Sequence, residues 1–218
     1  IVGYLRRLRK KHSKVEKRNR VLFIKMSAMG DVVSLLSNVY HLSQKHPKIK
    51  ITLLTTKRSN PELWKQLDII DFKIMPTNPL NALLFLVANI KWILSFDGVV
   101  NFDQYYRVSE LISLFSKKSF GFKTSRIGVF CDKTISYDHK ENEKISFFRL
   151  MSLAVNEIYF TKVPICNEFI LPGLSTIPTK KKIAELARKL EKGKPILAIY
   201  AGSSRNANFR RWPLNKYL

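Results

Sequence analysis

From Val21 onward, short apolar runs rich in β-branched residues alternate with stretches of helical periodicity, and that alternation limits the fold more than any other feature of the chain. Strands separated by helices build βαβ units, because a parallel neighbour is reached only by a crossover long enough to hold a helix. Strands are predicted at 21–25, 51–56, 72–75, 98–102 and 196–200. Between the first two, Val32, Leu35, Leu36, Val39 and Leu42 fall on one helix face, so 31–45 is the first crossover helix, and Pro47 ends it. Further helices are predicted at 61–67, 80–95, 108–115, 140–156 and 179–190. The stretch 163–178 carries Pro164, Pro172 and Pro178 without a clear period and reads as a linker. A turn at Gly193-Lys194-Pro195 leads into the last strand. The chain therefore divides into an arm (1–20), an α/β domain with a parallel sheet (21–162), the linker, and the opening of a second, truncated domain (179–218). It starts with Ile1 rather than Met and stops where a helix begins, the pattern of a piece of a longer protein.

The charge balance is unusual: 39 Lys and Arg stand against 16 Asp and Glu, a formal net charge of +23. That excess calls for an anionic partner or surface. With 45% of residues hydrophobic, the chain has ample material for a core, which excludes a disordered basic tail as the whole molecule. Cys131 and Cys166 match no metal-ligand spacing and are too few for a disulfide framework, which favours a reducing compartment. The longest apolar run, 80–96, is interrupted by Asn81, Asn89 and Lys91 and falls short of the roughly 18 apolar residues that cross a bilayer.

The excess is unevenly spread. Residues 1–20 hold nine Lys and Arg against one Glu (+8), residues 21–178 nineteen against thirteen (+6), and residues 179–218 eleven against two (+9). In the arm, Ile1, Tyr4, Leu5, Leu8, His12 and Val15 fall at helical spacing with Arg6, Arg7, Arg9, Lys10, Lys11 and Lys14 on other faces. A basic amphipathic helix of this kind suits an anionic lipid surface, contacts nucleic acid, or is simply solvated. The mildly charged middle argues against a uniformly nucleic-acid-binding surface and turns the arm toward the membrane.

Ligands of open α/β sheets bind beyond the carboxyl ends of the strands, which directs attention to the loop 26–31, Met-Ser-Ala-Met-Gly-Asp. It has neither the dinucleotide-binding nor the P-loop glycine pattern. Gly30 suits a tight turn, and Asp31 is either the cap of the following helix or a general base at the sheet's mouth. A second loop follows strand 196–200: Ala201-Gly202-Ser203-Ser204-Arg205, then Arg210-Arg211-Trp212-Pro213. A small turn with two hydroxyls and nearby cations can hold a diphosphate through backbone N–H groups and charge-assisted hydrogen bonds, or else is a basic loop leading into a helix. No Asp-x-Asp occurs, so a metal-bridged diphosphate has no obvious ligands.

These two loops resemble a known family. The stretch 21–33, VLFIKMSAMGDVV, is similar to the N-terminal signature of glycosyltransferase family 9, the lipopolysaccharide heptosyltransferases. The stretch 196–202 with Arg211-Trp212-Pro213 resembles the start of that family's second domain, and 98–103 with Arg107, Phe120-Gly121-Phe122 and the helix led by His139 follow in the family's order. The resemblance implies a GT-B fold: two Rossmann-like domains facing a cleft, the first for the acceptor and the second for the nucleotide-sugar. It implies inverting transfer of a heptose or related sugar from an ADP-activated donor to a lipid-linked glycan of the lipopolysaccharide core, without a metal, at the cytoplasmic face of the membrane. By resemblance Asp31 is the catalytic base. Gly202, Ser203, Ser204, Arg205, Arg210 and Arg211 lie at the donor phosphates, and Ser27, Met29, Gly30, Tyr105 and Arg107 line the acceptor side. Tyr200-Ala201-Gly202 replaces the family's usual His-Pro-Gly, and Arg210 stands where a lysine is common; either marks a different donor sugar or weakened activity. With only some 40 residues of the donor domain, the polypeptide is not expected to turn over alone. The rival reading is a non-enzymatic basic α/β module that binds nucleic acid or anionic membrane. His139, Trp212 and Met26 are expected to be packing residues.

Overall fold

A computed structural model describes residues 18–26, 29–59, 61, 70–124 and 128–165. Six strands form one sheet: β1 (Arg20–Ile24), β2 (Lys50–Thr55), β3 (Asp71–Ile74), β4 (Gly98–Asn101), β5 (Ser119–Lys123) and β6 (Lys133–Ser136). All neighbours are parallel, in the order β3-β2-β1-β4-β5-β6. That is the Rossmann-like order, in which the chain winds outward from β1, then returns to the centre and winds the other way. β1 therefore has β2 on one side and β4 on the other, with Val21 opposite both Ile51 and Gly98.

The alternation of side chains along β1 assigns each residue to a layer. Val21 and Phe23 join a core built with Val32, Leu35, Leu36, Val39 and Leu42 of α1 (Met29–Lys45) and with Phe147, Leu150, Met151 and Ala154 of α5 (Glu143–Tyr159). Leu22 and Ile24 face the other way, onto α2 (Pro79–Ala88), α3 (Ile90–Leu94) and α4 (Arg107–Phe115), with Ala82, Leu86, Ile93 and Ile112 among their neighbours. Both faces of the sheet are covered, as an all-parallel sheet requires. Asp97 anchors the amino end of β1, its carboxylate accepting from the backbone N–H groups of Arg18 (3.0 Å) and Arg20 (3.1 Å) and from the Tyr159 hydroxyl (3.2 Å). Burial and that carboxylate together raise the Tyr159 pKa.

Several predicted elements shift. The helix predicted at 80–95 is two helices: at Asn89 the side-chain amide donates to the Phe85 carbonyl (2.8 Å) and its oxygen accepts from the Lys73 ammonium (2.5 Å), and the chain turns into α3. The helix predicted from 140 starts at Glu143, because the Asn142 side chain accepts from the Lys144 N–H and sets the cap there. Phe160, in the left-handed region at φ 56°, ends it. β6 was not expected; its Lys-Thr-Ile-Ser is short, half-exposed and on the sheet edge, so it carries no apolar run. The predicted helix 61–67 beyond Pro61, the arm through residue 17, the linker beyond residue 165 and the segment 179–218 lie outside the described residues.

Candidate functional site

The switch point between β1 and β4 is where two adjacent strands of a doubly wound sheet send their following loops to opposite sides, opening a crevice. The residues just past these strand ends are Lys25 and Met26 after β1 and Asp103 and Gln104 after β4. All four are buried. The backbone N–H of Met26 donates to both carboxylate oxygens of Asp103 (3.2 and 3.0 Å), and the Asp103 N–H donates to the Asn101 side chain (3.1 Å), which itself donates to Ser109 (3.0 Å). Asp103 is thus locked to the end of β1.

Lys25 stands at the centre. Its side chain is 2% exposed, and its ammonium donates to the Gln104 oxygen at 2.9 Å, pairs with Asp31 Oδ2 at 2.9 Å, lies 3.8 Å from Asp103 Oδ1 and sits over the Phe147 ring. A buried ammonium needs such partners, since desolvation without them is strongly unfavourable. The polar chain continues: Gln104 donates to Glu143 Oε2 (3.2 Å), and the Tyr137 hydroxyl donates to the other Glu143 oxygen. Burial and that hydrogen bond raise the Tyr137 pKa. Burial also lifts the Asp103 carboxyl to about 7, against the pull of Lys25 and the Met26 N–H and with a further push from Asp31.

Among the groups around the Lys25 ammonium, Asp31 is partly exposed where Asp103 and Gln104 are buried. Its side chain is about one-third exposed, and among the described residues only Oδ2 has a charged partner. Helix α1 begins at Met29, two residues before the position expected, so Asp31 lies in the first turn rather than at the cap, where the helix dipole favours a carboxylate. Gly30 is likewise helical, with open space where a Cβ would stand, so no turn there demands a glycine. Met29 is exposed, while Met26 packs in the core as expected.

Beside this group lies a pocket of about 100 Å³, lined by Met26, Thr56, Arg58, Met75, Pro79 and Tyr106 among others. Arg58 donates to the Tyr106 hydroxyl (3.1 Å) across it, and the Thr56 hydroxyl donates to the Met26 carbonyl (2.6 Å). Tyr105 is exposed, and Arg107, at the start of α4, lines a different recess with Glu110, Val129 and Phe130. His139 is exposed and stacks edge-on against Tyr137. Ser27 and the residues expected at the donor phosphates, Gly202, Ser203, Ser204, Arg205, Arg210 and Arg211, lie outside the described residues. Lys25, Asp103, Gln104, Glu143 and Tyr137 were not singled out from the sequence. Lys25 carried the one available signal, a charge closing an otherwise apolar strand. Among the described residues no three His, Cys, Asp or Glu side chains cluster to hold a metal ion.

No protein-family profile and no curated protein sequence matches the chain. Solved structures do match its fold. A glycosyltransferase family 9 protein from Veillonella parvula aligns over 92% of this chain and 57% of its own length, at a TM-score of 0.64 and 14% identity. ADP-heptose lps heptosyltransferase II of E. coli aligns over 89% and 57% (TM-score 0.56, 14% identity). E. coli heptosyltransferase WaaC, solved with ADP-2-deoxy-2-fluoro heptose, aligns over 73% and 55% (TM-score 0.56, 15% identity). The chain spans just over half the length of the structures it matches. Its Rossmann-like half shares the fold of these GT-B glycosyltransferases.

Proposed function

We propose that this chain is the acceptor-side part of a glycosyltransferase of family 9, transferring a heptose or related sugar from an ADP-activated donor to a lipid-linked glycan acceptor. The observation that carries the reading is Asp31, a partly exposed carboxylate held at the switch point by a buried lysine, within a fold shared with proteins solved with ADP and ADP-2-deoxy-2-fluoro heptose. In the reaction an acceptor hydroxyl attacks the anomeric carbon from the face opposite the leaving group. The new C–O bond forms as the sugar–phosphate C–O bond breaks, the diphosphate leaves with the bonding pair, and Asp31 takes the hydroxyl proton. Configuration at the anomeric carbon inverts.

Lys25 positions the base. Its short contact fixes Asp31 Oδ2 against the sheet and leaves Oδ1 to meet the acceptor. Because Gln104 and Asp103 hold the ammonium from below, the carboxylate does not have to be ordered at the moment of attack. Ser203, Ser204, Arg205, Arg210 and Arg211 are assigned to the charge gathering on the departing diphosphate, with Gly202 allowing close backbone approach. That assignment makes the reaction metal-independent.

The test is Asp31→Ala in the intact protein, with turnover and ADP-sugar binding measured on the same preparation. Turnover falls by roughly 10²–10⁴ while donor affinity stays within twofold, as for loss of a positioned base. Wild-type turnover in that variant would remove Asp31 from the mechanism.

A further inference from the structure

Helix α2 is apolar on two opposite faces. Ala82 and Leu86 pack into the core, yet Leu80, Leu83, Leu84 and Val87 on the other side are 66%, 54%, 58% and 67% exposed. These four positions recur at three- and four-residue spacing, and beyond the Asn89 break Lys91 and Leu94 of α3 are exposed as well. A contiguous row of large apolar side chains in water marks an interaction surface, and the domain core makes no use of it.

The surrounding charge selects the partner. Residues 72–96 contain Lys73 and Lys91 and no Asp or Glu. Lys57 lines a recess with Asn78 and Asn81 at the amino end of α2, and Lys91 is exposed at the other end. Cations thus flank both ends of an apolar row, in a stretch (21–178) of net charge +6 within a chain of +23. Like-charge repulsion disfavours a second copy of so basic a chain, whereas an anionic lipid surface accepts apolar side chains at the acyl boundary and cations at the headgroups.

We propose that the outer face of α2, with the start of α3, rests on an anionic lipid surface. The inner side of the same helix lines the pocket at the carboxyl edge of the sheet, through Pro79 and Ala82 together with Met26, Arg58 and Tyr106. A membrane held by α2 therefore lies beside the switch point, where a lipid-linked substrate would be delivered. Binding at α2 is independent of the transfer reaction and is read without it, so neither result decides the other.

The experiment is co-flotation of the intact protein with vesicles of phosphatidylcholine alone and of equal phosphatidylcholine and phosphatidylglycerol. Leu84→Glu/Val87→Glu and Leu83→Gln/Leu84→Gln are compared with wild type, each checked for an unchanged thermal midpoint. The same pairs are repeated with Arg6→Gln, Arg7→Gln, Lys10→Gln and Lys11→Gln, which separates α2 from the basic arm. At least a tenfold loss of binding to the anionic vesicles is expected for both pairs, in both backgrounds. Binding equal to wild type in either folded pair would overturn the proposal. So would a wild-type dimer in lipid-free sedimentation that the same substitutions make monomeric, because the row would then be covered by a second copy.

Discussion

Helices α1 and α2 both flank the carboxyl edge of the sheet, and they use apolar residues in opposite ways. In α1 the apolar stripe of Val32, Leu35, Leu36, Val39 and Leu42 is wholly buried, and the first turn brings Asp31 to the Lys25 ammonium. In α2 only Ala82 and Leu86 are buried, and Leu80, Leu83, Leu84 and Val87 face out. Burial in α1 accounts for folding, since each side chain removed from water there contributes about 1.5–3 kcal/mol. The outward row of α2 contributes little to the fold and is explained by something the helix touches.

That contrast can be broken by substitution. Leu35→Ala in α1 is expected to cost about 2–5 kcal/mol in urea unfolding, the usual range for a leucine truncated in a packed core. A cost below ~1 kcal/mol would show that α1 does not carry the core. The polar part of the same edge responds to pH. Asp103 binds its proton more tightly folded than unfolded, so the folded chain holds more protons between its ordinary value of 3.8 and about 7. The contribution of Asp103 to stability is therefore greatest below that window and falls as pH rises through it. Asp103→Asn cannot ionise and should flatten that slope, an effect on the order of 4 kcal/mol across the window. A slope unchanged by the substitution would mean another group produces it. Leu84→Ala in α2 is the small counterpart: stability should stay within about 0.5 kcal/mol of wild type, as at other exposed positions. A loss like that of Leu35→Ala would place Leu84 in the core.

The sequence carried the first crossover clearly. The spacing of Val32, Leu35, Leu36, Val39 and Leu42 is a local property, and α1 follows it. The centre of the parallel sheet followed too, because β1, β2 and β4 are short apolar runs, whereas β5, Ser-Phe-Gly-Phe-Lys, has no such run and was expected only from the family resemblance. The polar network was much less legible. Lys25 looks like an ordinary charge at a strand end, and its burial depends on Asp103 and Gln104, which approach only when β4 pairs with β1. Glu143 and Tyr137 join from farther still. The apolar run at 80–96 was legible as hydrophobic, but periodicity could not say which half would be buried. Asn89, which splits it, acts through a hydrogen bond to its own preceding turn.

The linkage between Lys25 and Asp31 is tested most directly by a double-mutant cycle on turnover, made in an Asp103→Asn background so that no buried carboxylate is left unpaired. Lys25→Met alone should lower kcat by roughly 10–100-fold without weakening donor binding, and Asp31→Asn alone by roughly 10²–10⁴. If Lys25 acts by holding the base, the double variant is no slower than Asp31→Asn, because nothing remains to be held. Losses that multiply in the double variant would show that the two residues act separately and would contradict the assignment of Lys25 as the group that positions Asp31.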